Sequence, residues 1–212
     1  MGKGKLIVFE GVEGCGKTTQ IQLTSEWLVS LGISVVVTRE PGGTDLGTHL
    51  RNLLLEANNP IDPRTEMLLY AADRAQHVEQ KLKPNLAAGK YVLCDRFTYS
   101  TIAYQGYGRG LDINLINQLN RIATAGLETD LVLWFDLNVE TGLARKRRSG
   151  EVADRMEQEK LDFHRRVQQG YVTLAATHPE KIVRINANQD KETIQIEIQK
   201  ICAKYLQNLI TT

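Results

Sequence analysis

The chain has 212 residues, enough to bury one sizeable hydrophobic core, so we expect a single domain over residues 1–212. Its 26 Lys and Arg residues are balanced by 25 Asp and Glu residues, which argues against broad electrostatic binding to nucleic acid or an anionic membrane. The three cysteines lie far apart and predict neither a disulfide framework nor a zinc cluster. No apolar stretch approaches the ~20 residues that span a bilayer, so we expect a cytoplasmic protein with no nucleic-acid and no membrane partner.

Near-continuous apolar runs, rich in β-branched residues, predict strands that are covered on both faces of a sheet. They are residues 5–10, 33–38, 91–95, 131–136 and 181–186. Helical spacing fills the gaps, at residues 18–30, 46–56, 65–88, 98–105, 113–124, 139–147, 160–177 and 193–209. Because alternating strands and helices form right-handed crossovers, we predict an α/β fold, a doubly wound five-stranded parallel sheet with helices on both faces. Ligands bind such sheets beyond the carboxyl ends of the strands.

The first strand runs into a phosphate-binding motif, GxxxxGK[ST], at residues 11–18. A predicted helix follows the motif, so that its N-terminal amides would face a polyphosphate. In this motif Lys17 neutralises the β- and γ-phosphates, and the Thr18 hydroxyl is a ligand for Mg²⁺. We therefore predict a P-loop NTPase-type fold that binds a nucleoside triphosphate. The predicted triphosphate-binding residues are Gly11, Val12, Glu13, Gly14, Cys15, Gly16, Lys17, Thr18 and Thr19.

The third predicted strand ends in an acidic and a basic residue, Asp95 and Arg96. A carboxylate at this place can hold Mg²⁺ through water, beside the phosphate loop. The planar fork of Arg96 suits a phosphate group. The alternative interpretation is a local ion pair between the two residues at the strand end, which would be worth little.

Two predicted helices carry polar and aromatic side chains four residues apart, a spacing that places them on one helical face. Tyr70 and Arg74 combine a flat π surface with bidentate donors, which suits a nucleobase. The alternative is a tyrosine that packs on the stem of a surface arginine, and spacing alone does not decide between them. The later helix repeats the spacing just after Arg96, in the pairs Ser100 with Tyr104 and Thr101 with Gln105, which suggests sugar and base recognition.

The densest basic run begins at Arg145, and residues 145–155 carry five positive and two negative charges. Most charge runs are solvated helix faces. An irregular basic segment after the fourth strand is also where a short lid, about residues 146–157, would bring arginines onto a transferring phosphoryl group. Glu13 favours the lid, because an acidic residue in the phosphate loop cannot stabilise that charge.

Taken together, these motifs resemble the thymidylate kinase family, P-loop enzymes that phosphorylate dTMP with ATP. The resemblance covers nearly the whole chain and depends on a few segments in combination. They are the start of the phosphate loop, residues 9–14, then residues 38–44, 72–74 and 95–96, and finally Ser100 with residues 103–106. It implies one nucleoside monophosphate kinase domain, ATP and dTMP as substrates, Mg²⁺ as cofactor, and a homodimer.

The resemblance also implies roles on the acceptor side of the reaction. Asp95 would serve the metal, and Arg96 the acceptor phosphate. Arg39 looks like a second contact to that phosphate, and Arg51 like a nearby basic group. Glu13 resembles an acidic loop residue that reaches the deoxyribose 3′-hydroxyl.

For the base, the resemblance assigns Tyr70 to the place of an aromatic ring that stacks on thymine, where Phe is commoner in the family. Arg74, Thr101 and Gln105 look like contacts to the base edge. Tyr104 resembles a residue whose ring crowds the 2′ position and so disfavours ribonucleotides.

Family members differ in whether the catalytic arginine lies in the phosphate loop or in the lid. No basic residue lies between Gly11 and Gly16, so the chain resembles the bacterial lid-arginine type. The predicted catalytic residues are Lys17, Arg96, Arg145, Arg148 and Arg155.

Three rival interpretations remain from the sequence. Another nucleoside or nucleoside-monophosphate kinase could carry a similar lid. A GTPase-like switch should carry an Asn-Lys-x-Asp motif that reads guanine, and the sequence has none. A nucleotide-sensing module would bind ATP without acceptor-dependent turnover.

Overall fold

The strands of the protein form one parallel sheet in a computed structural model that describes residues 4–56, 60–148, 150 and 152–205. They are β1 Lys5–Gly11, β2 Val35–Arg39, β3 Tyr91–Asp95, β4 Leu131–Asp136 and β5 Ile182–Asn186. The strand order is β2-β3-β1-β4-β5, and every neighbouring pair is parallel. The predicted α/β class with a five-stranded parallel sheet is therefore confirmed.

Helices connect these strands. They are α1 Lys17–Ser30, α2 Asp45–Leu55, α3 Pro63–His77, α4 Lys83–Ala87, α5 Thr98–Thr101, α6 Ile113–Thr124, α7 Val139–Arg148, α8 Leu161–Thr177 and α9 Lys191–Tyr205. Two π-helical segments, Val78–Leu82 and Ile102–Gly108, follow α3 and α5. The predicted end of the last helix, residue 209, lies outside the described residues. None of the helices in the described part of the chain is long and apolar enough to cross a bilayer.

Several predicted boundaries are wrong by one or two residues. Strand β2 begins at Val35 rather than at residue 33, because α1 ends in a left-handed turn at Gly32 (φ +78°) and the Ile33 amide donates to Leu28 O at 3.1 Å. Helix α2 begins one residue earlier than predicted, because the Thr44 hydroxyl accepts from Gly47 N at 3.0 Å and caps the helix. Backbone bonds at element ends, which spacing does not reveal, decide these boundaries.

The predicted helix over residues 98–105 is the largest departure, since it becomes π-helical from Ile102 onwards. The Arg109 amide donates to Tyr104 O at 2.9 Å, a bond that spans five residues instead of four. The wider turn breaks the four-residue register on which the predicted side-chain pairs depended. The predicted helix over residues 65–88 contains the other π-helical segment.

The position of β1 in the sheet decides where a ligand can bind. Strand β1 pairs with β3 on one side and with β4 on the other, so the chain reverses its direction of winding there. Beyond Lys5 its residues are buried, and the rings of Phe9 and Phe135 stack with centroids 5.9 Å apart. The loop that leaves β1 therefore lies at the switch point of the sheet, where open α/β folds bind their ligands.

Candidate active site

A cavity of about 530 Å³ opens beyond the carboxyl ends of β1, β2 and β3. All predicted substrate-binding and metal-binding residues line it, and so do residues 13–19 of the phosphate loop. Gly11 and Val12 are buried and do not line it. Of the predicted lid arginines, Arg145 lines the cavity, whereas Arg148 and Arg155 do not.

The phosphate loop folds around the ammonium group of Lys17. Lys17 Nζ donates to Gly11 O at 3.0 Å and to Val12 O at 3.1 Å, and only 7% of the residue is exposed. Cys15, within the loop, is 1% exposed, and its Sγ atom lies 3.5 Å from Lys17 Nζ. The loop thus holds a positive charge in place beside the cavity, where the β- and γ-phosphates of a nucleotide would lie.

Two glycines hold helix α7 against this loop. Gly14 has φ +69°, and a Cβ atom added to it would lie 2.2 Å from Gly142 O. A Cβ atom on Gly142 would lie 2.3 Å from Glu13 O. Only glycine permits this backbone contact, which sets the position of the helix that carries Arg145 and Arg148.

Arg96 is paired with the phosphate loop rather than with its sequence neighbour. Arg96 Nη2 donates to Glu13 Oε1 at 2.7 Å, and the Tyr104 hydroxyl donates to both Glu13 oxygens at 2.8 Å. The guanidinium also lies 4.9 Å from the centre of the Tyr104 ring. The alternative interpretation of a local Asp95–Arg96 ion pair is therefore wrong.

The carboxylate of Glu13 remains charged in this setting. Burial raises its pKa, but the charges of Arg96 and Lys17 and the hydrogen bond from Tyr104 outweigh burial and hold the pKa below its usual value. A charged Glu13 at this place can accept a hydrogen bond from a substrate hydroxyl.

Glu10, which the sequence analysis did not assign, positions the residues that follow β3. Its buried carboxylate accepts from Phe97 N at 2.9 Å, from Ser100 Oγ at 2.5 Å and from the Tyr171 hydroxyl at 2.8 Å. These bonds surround Arg96, whose backbone is left-handed (φ +68°) and thus strained for a non-glycine residue. A carboxylate at the end of an otherwise apolar strand was the available signal, because a buried charge needs partners.

Arg39 and Arg51 present two like charges to the same part of the cavity. Arg51 Nη1 donates to Pro41 O at 3.0 Å, which fixes its side chain. Burial and the nearby charge of Arg39 lower the pKa of Arg51. An anion bound between them would relieve this repulsion, so the pair suits a phosphate group.

The residues predicted to hold Mg²⁺ fit a hard, oxygen-seeking cation. Asp95 Oδ1 is buried, and within the described residues it has no hydrogen-bond partner. Thr18, at the start of α1, faces the same cavity and is exposed. No group of three His, Cys, Asp or Glu side chains clusters elsewhere in the described chain to hold a metal. Mg²⁺ commonly takes one or two protein ligands and completes its shell with waters and substrate phosphates.

Arg74 is buried at the far end of the cavity, so the alternative of a surface arginine beneath a tyrosine is wrong. Its Nε donates to Glu40 Oε2 at 2.8 Å, its Nη1 to Thr101 Oγ1 at 2.9 Å and to Asn120 Oδ1 at 2.7 Å, and its Nη2 to Phe97 O at 2.9 Å. A guanidinium carries five N–H donors, and these contacts use four of them. One N–H on Nη2 is left for a ligand. Glu40 belongs to the segment 38–44 that carries the family resemblance, but its role as a partner of Arg74 was not predicted, and Asn120 gave no signal in the sequence.

Gln105 lies beside the same end of the cavity and is held by Glu66. Gln105 Nε2 donates to Glu66 Oε1 at 2.7 Å, and Arg109 donates to both oxygens of that carboxylate, at 3.1 and 2.9 Å. Arg109 Nη1 also donates to Glu159 at 2.5 Å. With Arg155, these residues form what we call the Glu66 cluster: Glu66, Gln105, Arg109, Arg155 and Glu159.

The three predicted lid arginines lie in different surroundings. Arg145 Nη1 donates to Ala187 O at 3.3 Å and faces the cavity. Arg155 Nε donates to Leu54 O at 2.8 Å, and its Nη2 lies 2.6 Å from Glu66 Oε2 without hydrogen-bond geometry. Arg148 is exposed. Residues 149 and 151 of the predicted lid lie outside the described residues.

The chain is similar to known proteins over nearly its whole length. The model of the thymidylate kinase family matches residues 9–198. A thymidylate kinase of Nostoc punctiforme is 67% identical over 208 residues, which cover 97% of this chain and 99% of the relative. A thymidylate kinase of Trichodesmium erythraeum is 55% identical over 219 residues, 96% of each chain. The crystal structure of thymidylate kinase from Ehrlichia chaffeensis superposes with a TM-score of 0.78 at 34% identity and covers 94% of this chain and 99% of that one.

Proposed function

Because the chain belongs to the thymidylate kinase family, we propose how the residues around its cavity divide the work of phosphorylating dTMP. The reaction transfers the γ-phosphoryl group of ATP to dTMP and yields dTDP and ADP. Such a transfer depends on positioning and on charge stabilisation more than on a strong base. The acceptor phosphate supplies its own nucleophilic oxygen.

One observation carries this conclusion: a single cavity joins the phosphate loop to a cluster of arginines and to the side chains that we assign to the base. A switch or sensor needs only the first part. A kinase that acts on a nucleotide needs all three in one continuous space, since both substrates must meet in line.

On the donor side, we assign the ATP phosphates to the amides of the loop and to Lys17. The Thr18 hydroxyl would bind Mg²⁺ directly, and Asp95 would bind it through water. The unpartnered Oδ1 atom of Asp95 supports this assignment. When bound, the metal neutralises charge on the β- and γ-phosphates.

On the acceptor side, we assign the phosphate of dTMP to Arg39, Arg51 and Arg96. The mutual repulsion of Arg39 and Arg51 supports a phosphate between them. Glu13, which stays charged, would accept from the 3′-hydroxyl. The Tyr104 ring beside it would fill the space of a 2′-hydroxyl, with Ser100 placed between Arg96 and Glu10.

For the base, we propose that Tyr70 stacks on thymine while Arg74 donates its remaining N–H to the 4-oxo group. Thr101 accepts from Arg74 and so holds it in place. Gln105 would read the neighbouring edge of the ring. Each of these side chains lines the cavity.

In the lid, we propose Arg145 as the first candidate for the cation that stabilises the transferring phosphoryl group, because it already faces the cavity beside the loop. Arg155 would have to leave Glu66 and Leu54 O to reach that place, so it ranks behind Arg145.

We also propose that residues 1–212 form one domain, that the enzyme works in the cytoplasm and that it forms a homodimer. Helices α2, α3 and α6 pack side by side, and each exposes a large apolar side chain. The exposed fraction is 50% for Leu46, 53% for Leu68 and 75% for Ile122. Exposed apolar side chains on neighbouring helices support this proposal, since a second copy of the chain could cover them.

The test of the proposed function follows ADP release from ATP and Mg²⁺ with dTMP, dUMP, ribothymidine monophosphate, dCMP and AMP as separate acceptors. Strong preference for dTMP supports both the reaction and the pocket assignment. Turnover with another acceptor would keep the kinase and discard the roles of Tyr70, Arg74 and Gln105. ADP release without acceptor dependence would move the protein to the switch or sensor class.

A further inference from the structure

The amide of Gln105 has one orientation, which its buried neighbour imposes. Gln105 Nε2 lies 2.7 Å from Glu66 Oε1. An ionised carboxylate only accepts hydrogen bonds, so the amide must turn its NH₂ group towards Glu66. The opposite orientation would place two acceptor oxygens against each other in a buried site, which is costly.

The other end of that amide is therefore an oxygen, and it belongs to the cavity. Gln105 lines the cavity although only 2% of the residue is exposed. Among the described residues, none donates a hydrogen bond to Gln105 Oε1, and that atom is not fully buried. The pocket thus presents a fixed hydrogen-bond acceptor at this point.

Glu66 is suited to this task because it is both ionised and immobile. Burial raises its pKa, but hydrogen bonds from Arg109 and Gln105 outweigh burial and keep the pKa below its usual value. Its side chain is fully buried, and Arg109 grips both of its oxygens. The Glu66 cluster contains two arginines and two glutamates, so its charges balance.

A fixed hydrogen-bond acceptor distinguishes the pyrimidine bases by whether their ring nitrogen N3 carries a hydrogen atom. Ring nitrogen N3 carries a hydrogen in thymine and uracil, whereas in cytosine the same nitrogen is an acceptor. We propose that Glu66 is a positioning residue that fixes the Gln105 amide and thereby selects acceptor nucleotides whose base carries N3–H. This inference depends on the proposed function, in which Gln105 reads the base edge, and it adds Glu66 as the origin of the selectivity.

The test uses dUMP and dCMP, which differ only at N3 and at the group on C4. In the unmodified enzyme we expect kcat/KM for dUMP to exceed that for dCMP by a hundredfold or more, since both Gln105 and Arg74 oppose cytosine. In Glu66→Gln, the new amide can donate as well as accept, so Gln105 loses its single orientation. The dUMP/dCMP ratio should then fall about tenfold, while Arg74 preserves part of the preference.

Glu159→Gln is the matched control. It makes the same chemical change to another carboxylate that binds Arg109, but within the described part of the chain Glu159 forms no hydrogen bond with Gln105. We expect its dUMP/dCMP ratio to match that of the unmodified enzyme, whatever happens to kcat. In a Gln105→Leu background, Glu66→Gln should change the ratio no further, because the two residues act through one amide.

Three results would overturn the inference: an unmodified enzyme that uses dCMP as readily as dUMP, a Glu66→Gln ratio that does not fall, or a Glu159→Gln ratio that falls equally. Circular dichroism shows whether Glu66→Gln folds. If it does not, Glu66→Gln with Arg109→Gln keeps the charge of the cluster balanced and carries the same test. Failure of the proposed function would look different, as an absence of dTMP-dependent turnover in the unmodified enzyme.

Discussion

Arg96 joins the acceptor side of the cavity to the phosphate loop, and its removal should separate catalysis from ATP binding. In Arg96→Ala we expect kcat to fall by about a hundredfold or more, because Arg96 holds the acceptor phosphate in line for attack and a misplaced reactant costs about that factor. The Kd for ATP should change by less than about threefold, because the loop amides and Lys17 remain in place.

The same substitution should also destabilise the fold. Glu13, whose side chain is only 13% exposed, would lose the guanidinium that lies 2.7 Å from its Oε1 atom. Removal of one partner from a buried ion pair costs about 3–5 kcal/mol, and we expect the lower end because Lys17 and the Tyr104 hydroxyl still stabilise Glu13. Arg96→Gly should be about 1 kcal/mol more stable than Arg96→Ala, because glycine adopts the left-handed backbone at φ +68° without strain.

Steady-state kinetics with dTMP, titration calorimetry with a non-hydrolysable ATP analogue, and urea unfolding measure the three quantities. Equal loss of turnover and of ATP affinity would refute the assignment of Arg96 to the acceptor side. Equal stability of the alanine and glycine variants would refute the account of backbone strain at this residue.

Three further predictions concern the lid, Asp73 and the exposed helices. Arg145→Ala should lower kcat by about ten- to a hundredfold. Arg147→Ala, a change to an exposed residue on the same helix, should leave kcat within about twofold of the unmodified enzyme. Equal kcat values for the two variants would show that Arg145 has no part in the reaction. Burial, and then the nearby charge of Glu40, raise the pKa of Asp73 to about 6. Between about pH 4 and pH 6 the Asp73 carboxyl is therefore protonated in the folded state but ionised in the unfolded state. The free energy of unfolding should fall as the pH rises through this range. Asp73→Asn should abolish this fall of up to about 3 kcal/mol in urea unfolding at several pH values, and an unchanged slope would contradict the raised pKa. In sedimentation velocity, Ile122→Lys should shift the dimer towards the monomer, whereas Ile196→Lys on α9 should not. If both variants remain dimers, the surface of α6 is not part of the dimer interface.

The features that could be predicted from the sequence depend on contiguous residues. The phosphate loop, and Asp95 with Arg96, could each be recognised from their residue types and from their position at the end of a predicted strand. The structure brings them to one cavity. Gln105 and Glu66 are 39 residues apart, and Arg109 and Glu66 are 43 apart, so no local pattern connects them. The wide turn after Ile102 was equally invisible, because an α-helix and a π-helix share the same side-chain preferences and differ in backbone bonding.

The contact between Gly14 and Gly142 has a mechanical consequence for the lid. Gly142 seats its helix on the phosphate loop, and Arg145 follows three residues later, about 4.5 Å along the helix axis. Because this contact joins the helix to the loop, we expect the first turns of α7 to stay with the phosphate loop when the lid moves, so that any hinge lies beyond Arg145. An added methyl group at either glycine would force helix α7 away from the phosphate loop and so displace Arg145 from the place proposed for it beside the γ-phosphate.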